Sequence, residues 1–333
     1  MRNIDGMMDF IADSREFEPL SEERTEALLA RTLTKLQAER KKQMNIRKKV
    51  SLLLLAGIIA IGAVSVGAGA YLRMDGRLVD FLKPASDAQL EQLQPAGMAI
   101  GRQVTVNDYT VDVKESIGDN YQIYVLFDVI APEGTALDQE QYRFDTVRLW
   151  SEKNKSMGYS VDMLQDDQPA DNKVSMVLEA NCDRSFIKDR VRLDLENLVY
   201  YDPETMEDVV VEEGLWQVEF DLEYKDISKT LKVNKPIQIF GGEATLRSVS
   251  ISPLSVTAEA TAFSIEKYEE DGLDELEDIR IQLRDGTVLE PRTPSRGSRY
   301  FTMQQTCTFD RMIDLEQIQS IQVFGETIEP DWD

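Results

Sequence analysis

The chain has 333 residues, a formal net charge of −24, no histidine and two cysteines. The missing histidine excludes Ser-His-Asp and Cys-His catalytic arrangements, His-ligated zinc and imidazole acid–base chemistry. Two cysteines exclude a four-thiolate metal site, and the acidity argues against nucleic acid as a direct ligand, since phosphate binding needs clustered Lys and Arg.

Residues 1–49 read as a short helical segment. Ile4, Met8 and Ile11 follow the i, i+4, i+7 stripe of an amphipathic helix. Pro19 ends any first helix, and Ser21 can cap a second. From Glu22 the chain is rich in helix formers; Leu29, Leu33 and Leu36 align on one face with Leu28 beside them. A piece this short has too few large apolar side chains to bury a core that outweighs chain entropy. It is either a tail with a basic membrane-surface anchor or, as we read it, a helical hairpin that folds on a cytoplasmic protein in the helix-in-groove manner. The partner-binding residues are then Ile4, Met8, Ile11, Leu28, Leu29, Leu33 and Leu36.

Val50 to Leu72 is a run of 23 residues without a charge. At about 1.5 Å per residue it makes a helix of roughly 34 Å, enough to cross a hydrocarbon core of about 30 Å. Arg40, Lys41, Lys42, Arg47, Lys48 and Lys49 precede it, whereas Asp75 and Asp80 dilute Arg73, Arg77 and Lys83 beyond it. The positive-inside rule therefore expects residues 1–49 in the cytoplasm and 73–333 outside a cell membrane. The leader is too long for a cleaved signal peptide, although Ala68-Gly69-Ala70 has the form of a cleavage site. Splitting the charge at this run leaves +2 on residues 1–49 and −26 on residues 73–333, where 26 basic face 52 acidic residues.

Residues 73–97 read as a polar stalk with Pro84, Pro95 and a short helix around Asp87 to Leu93. From about Ala99 the period becomes two. Val104–Val106 and Tyr109–Val113 flank a tight turn at Asn107-Asp108, and Gly118-Asp119-Asn120 makes another. Tyr121, Ile123, Val125, Phe127 and Val129 mark a core strand; further runs lie at Phe144–Trp150, Val174–Ala180 and Val191–Leu198. Trp216, Val218, Phe220, Leu222 and Tyr224 form the clearest alternation, introduced by Gly214. Short strands without intervening helical patterns predict a β-sandwich over 98–235.

The pattern restarts near Asn234-Lys235-Pro236. Leu246, Val249 and Ile251 precede Ser252-Pro253, after which Leu254, Val256, Ala258, Ala260 and Ala262 alternate. Ile279, Ile281 and Leu283 lead to Asp285-Gly286, a strong two-residue hairpin signal. Tyr300–Phe309 and Ile318–Phe324 supply two more strands. The expectation is a second small sandwich over 236–333. The fold class is thus mainly β: a helical cytoplasmic segment, one transmembrane helix and two extracellular Ig-like sandwiches.

Candidate chemistry is sparse. No glycine-rich loop of Walker or Rossmann spacing occurs, and no carboxylate pair stands out. The acidic stretch Glu266 to Asp278 lacks the order of a calcium loop and reads as solvated. Trp150, Trp216 and Trp332 can form a sugar-stacking set, but Trp150 and Trp216 sit in strand patterns and read as core. Of Tyr200 and Tyr201, one must face away from the core. Cys182 and Cys307 can pair as a disulfide; two separate small apolar residues is the preferred reading. No enzymatic activity, cofactor or metal is expected.

The chain resembles the anti-sigma-factor-like single-pass membrane proteins of Gram-positive bacteria, whose outer domains have no assigned function. The likeness rests on Leu20–Leu36 ahead of the basic segment and apolar run, on Val104–Val113 with Tyr121–Val129, on Gly214-Leu215-Trp216-Gln217-Val218-Glu219-Phe220, and on Leu246–Ala262 around Ser252-Pro253-Leu254-Ser255-Val256. It implies an inner segment that sequesters an extracytoplasmic-function sigma factor and an outer part that senses the envelope. A non-enzymatic envelope adhesion or scaffold protein is the alternative.

Overall fold

The computed structural model describes residues 74–331 except 154–156, 166–167, 169–170, 240–241, 263–277 and 300. The apolar run Val50–Leu72, the basic cluster Arg40–Lys49, the helical faces of residues 1–49, the acidic stretch up to Glu277 and Trp332 lie outside the described residues. Among the described residues, no helix is long and apolar enough to cross a membrane.

The described chain is mainly β. Two short helices come first, α1 (Gly76–Leu82) and α2 (Asp87–Leu93), followed by a 3-10 turn over Gln94–Ala96. The Asp75 side chain accepts from the Arg77 N–H at the start of α1, and Ser86 accepts from Gln89 N–H at the start of α2. Both caps satisfy backbone donors that a short helix leaves open.

The first eight strands are β1 (Gly97–Val106), β2 (Tyr109–Gly118), β3 (Gln122–Ile130), β4 (Tyr142–Ser151), β5 (Met157–Met163), β6 (Lys173–Cys182), β7 (Asp189–Asp202) and β8 (Glu207–Leu222). They form a five-stranded sheet ordered β1-β2-β3-β6-β5 and a three-stranded sheet ordered β4-β7-β8. One hydrophobic cluster joins these two sheets: Val111, Val113, Ile123, Val125, Phe127 and Met176 from the first meet Phe144, Leu193, Leu195, Trp216 and Phe220 from the second. Trp216 is fully buried; its indole N–H donates to the Tyr109 carbonyl at 2.9 Å, and Phe144 stands edge-on to its ring.

The remaining strands are β9 (Lys229–Ile239), β10 (Gly242–Ile251), β11 (Val256–Thr261), β12 (Arg280–Leu283), β13 (Val288–Leu289), β14 (Pro291–Arg299), β15 (Thr302–Phe309), β16 (Ile318–Val323) and β17 (Glu326–Ile328). Their sheets are ordered β14-β15-β11-β10-β9 and β13-β12-β16-β17, and a second cluster around Leu246, Val249, Val256, Ile281 and Ile321 lies between them.

Turn chemistry behaves as its residues dictate. Asn107 and Asp108 both take positive φ, at 49° and 68°, which gives the two-residue turn its right-handed match to the strands. Gly118 is needed for a different reason: a Cβ there would stand 2.7 Å from the Gln122 carbonyl and 2.8 Å from the Tyr224 hydroxyl.

Three expectations need correction. Residues 74–96 are not a free polar stalk: Met74, Leu78, Leu82, Leu93 and Ala96 pack with Ile117, Tyr124, Leu126 and Val177 on the outer face of the five-stranded sheet. The polar positions of α1 and α2 hid this, because seven-residue helices expose most of their surface. The restart at Asn234-Lys235-Pro236 is not a boundary, since β9 already begins at Lys229 and pairs with β10 on both sides of it. There the register slips between Leu246 and Ser248 while Asn234 takes a φ of 54°, the signature of a β-bulge inside a continuous strand. Finally, Asp285-Gly286 belongs to a longer turn: the Leu283 N–H donates to the Thr287 carbonyl, and Gly286 takes a φ of 86°.

Candidate functional site at the junction of the two β units

The turn after β2, the turn after β10 and the strands β6, β14 and β15 meet in one buried polar seam. Asp119 is at its centre. One carboxylate oxygen accepts from the Tyr121 and Gln122 N–H groups, both at 2.8 Å, and locks its own turn. The other accepts from the hydroxyls of Ser252 at 2.5 Å and Ser255 at 2.6 Å, which belong to the other β unit. Ser252 in turn accepts from the Leu254 and Ser255 N–H groups, so Ser252-Pro253-Leu254-Ser255 is shaped to present two hydroxyls to one acid. Burial pushes the Asp119 carboxyl above its ordinary value, and the four donors oppose that rise. The Tyr224 hydroxyl closes the turn from behind by donating to the Asp119 carbonyl at 2.9 Å.

Glu179 on β6 is the second anchor. It accepts from the Arg292 guanidinium of β14 and from the Thr308 hydroxyl of β15 at 3.1 Å, while Gln122 donates at 3.3 Å from its own sheet. Arg292 also lies over the Phe81 ring of α1, 5.6 Å from its centroid, and Phe81 stands edge-on to Tyr124 of β3 at 5.9 Å. Burial first, then the Glu179 charge, raises the Tyr124 hydroxyl well above its ordinary value, and Arg292 opposes the rise. One side chain of the second unit therefore touches both the five-stranded sheet and the first described helix. Gln304 adds a third tie, donating to the Cys182 carbonyl at 3.0 Å.

α1 is held to that sheet by charge as well. Arg77 reaches Asp75 and Asp128, both at 2.6 Å, and the Ser175 hydroxyl at 2.5 Å. Lys114 bridges Asp112 and, at 3.5 Å, Asp128. Glu115 accepts from the Asp75 N–H at 3.0 Å, and burial raises its carboxyl. These acids sit on a sheet face covered by helix, where an unpaired charge would be costly.

A cleft of about 120 Å³ opens where α1, the five-stranded sheet and the second unit converge. Phe81, Lys83, Leu254, Arg292, Phe309 and Arg311 are among the residues lining it.

The residues singled out from sequence fare differently. Trp216 is core, but Trp150 is 52% exposed. Its indole N–H donates to Asp194 at 3.0 Å, and Arg192 lies over its ring at 5.4 Å. The β4 register points Trp150 outward, away from the core side that Leu149 occupies, so its strand pattern misled. Tyr201 is exposed while Tyr200 packs on the core, as alternation requires. Cys182 and Cys307 are separate, free and buried. Burial pushes the Cys307 thiol up to about 12 and raises the Cys182 thiol as well, which disfavours the reactive thiolate in both. No group of three or more Asp, Glu, Cys or His among the described residues is arranged to hold a metal ion.

The seam itself was not foreseen. Its available signals were Glu179, a carboxylate inside the apolar run Val174–Ala180, and the Ser252–Ser255 turn between two apolar strands.

No family model matches the chain, and no curated protein does. Among solved structures, a conserved domain protein from Bacillus anthracis is 13% identical over 68% of this chain and 75% of that one, with a TM-score of 0.47. The N-terminal periplasmic domain of ScsB from Proteus mirabilis is 10% identical over 69% of this chain and 95% of that one, with a TM-score of 0.22. Neither overlap is close enough to carry a function across.

Proposed function

We propose that the chain is a membrane-anchored regulator of the anti-sigma type, without enzymatic activity, whose two β units are immunoglobulin-like sandwiches outside the cell membrane. In this reading Val50–Leu72 crosses the lipid, and the faces of Ile4, Met8, Ile11, Leu28, Leu29, Leu33 and Leu36 hold a sigma factor inside.

The observation that carries the reading is the Arg292 contact set. Arg292 belongs to β14, yet it meets Glu179 of β6 and the Phe81 ring of α1, the first helix after the proposed span. A displacement of the second unit would reach α1 through packed side chains and not through a loop. Contiguous packed contacts are one medium for such coupling, and the coupling is what experiment must measure.

Full-length chain purified from membranes is expected to retain a sigma factor, and Leu29→Asp with Leu33→Asp to lower retention at least tenfold. Unchanged retention would sink the proposed face; no retention by the wild type would sink the role. Arg292→Ala is expected to change transcription from a promoter of that sigma factor. A second reading, an envelope adhesion or scaffold protein, is favoured by exposed Trp150 alone. It predicts that Trp150→Ala lowers surface binding and leaves transcription unaltered.

A further inference from the structure

The cleft beside Arg292 has the wrong charge for this molecule. Acidic residues outnumber basic ones 52 to 26 over residues 73–333. In the cleft the balance reverses: Lys83, Arg292 and Arg311 line it against the single carboxylate of Asp310. Arg292 is engaged from behind by Glu179. Both Lys83 and Arg311 are exposed at the rim, and the charge of Arg311 also acts on the Asp285 carboxylate. Lys83 is held in place by its backbone, since it ends α1 with a φ of 51° and its N–H donates to the Val79 carbonyl. Between the cations the walls are apolar, formed by Phe81, Leu254, Phe309 and Met312.

Cations at the rim of an apolar floor suit an anion attached to a small apolar body. We propose that this cleft captures the carboxyl terminus of a peptide that ends in a small apolar residue. Capture of a terminal carboxylate by fixed donors is a recurring mode of peptide recognition. Its position makes it a wedge. Lys83 belongs to the end of α1 and Arg311 to the second unit, so a bound carboxylate would draw on both sides of the junction. The regulatory consequence rests on the relay reading above; the binding itself does not.

The test uses the full-length chain in detergent micelles, titrated by calorimetry with N-acetyl-alanyl-alanine, its C-terminal amide and inorganic phosphate. The acid is expected to bind, the amide at least tenfold more weakly, and Lys83→Gln with Arg311→Gln to weaken the acid at least tenfold with an unchanged Tm. Equal binding of acid and amide, undiminished binding by the double variant, or phosphate bound as tightly as the peptide acid would each overturn the proposal. Failure here is separable from failure of the relay. If no peptide binds while Arg292→Ala still alters sigma-dependent transcription, the cleft proposal falls and the relay stands. If the peptide binds and Arg292→Ala leaves transcription unmoved, the reverse holds.

Discussion

The two sheets of the first β unit enclose one core yet differ in what lies on their outer faces. In the three-stranded sheet, β8 shows buried Trp216, Val218, Phe220 and Leu222 alternating with exposed Gln217, Glu219 and Asp221. In the five-stranded sheet, eight consecutive residues of β3, Gln122 to Val129, are all buried. The difference is a cover: α1, α2, Leu254 and Met312 close the second face of β3 and leave that of β8 to solvent. Alternation in sequence therefore reports a one-sided strand, and its loss reports a strand covered on both faces. Covering a face also obliges its polar residues to find partners, as Asp112, Asp128 and Glu179 do.

The sharpest way to break this comparison is to cut the cover's apolar contact. Leu126→Ala, on the helix-covered face of β3, is expected to cost about 2–5 kcal/mol in urea unfolding, the cost of any core leucine. A loss below about 1 kcal/mol would mean that the helices only rest on the sheet. Next comes Arg292→Ala, which leaves the Glu179 carboxylate buried with only Thr308 and Gln122 as donors. A fully buried pair would lose about 3–5 kcal/mol; because Arg292 is partly exposed we expect about 2–3 kcal/mol. Arg292→Lys should restore part of this, since the charge returns without the planar fork.

The seam at Asp119 sharpens the comparison through pH. Its folded carboxyl is raised by burial, so the folded protein holds a proton that the unfolded chain has already released above about pH 3.9. This group's stabilising contribution is complete below that pH and is lost as pH rises through the folded value. Asp119→Asn removes that dependence, so the stability difference between wild type and variant should shift steadily in the variant's favour from acid toward neutral pH. A pH-independent difference would place the Asp119 titration elsewhere.

The smallest effect belongs to the open face. Trp150→Ala removes a cation–π contact and one of the hydrogen bonds to Asp194, which keeps Arg192 and Gln217 as donors. We expect a loss of no more than about 1 kcal/mol in the same unfolding assay. A larger loss would show that the open sheet also depends on its outer surface.

Local patterns were legible where one cause acted. Alternation marked β8 and its Trp216 anchor, because one side of that strand meets the core and the other meets water. Asn107-Asp108 announced its turn, because both residues tolerate positive φ. Chain composition likewise ruled out histidine chemistry before any fold was known. Other features needed partners distant in sequence. Residues 74–96 looked like a spacer until the face of β3 that they cover was in view, and the bulge at Asn234 looked like a boundary until β10 paired across it. The Asp119–Ser252 and Glu179–Arg292 contacts bring together residues more than a hundred positions apart. Backbone propensity and hydrophobic period act over a few neighbouring residues, so they marked one-sided strands such as β8 and tight turns such as Asn107-Asp108. Which buried carboxylate meets which donor depends on how whole sheets pack, and that was decided only in the tertiary structure.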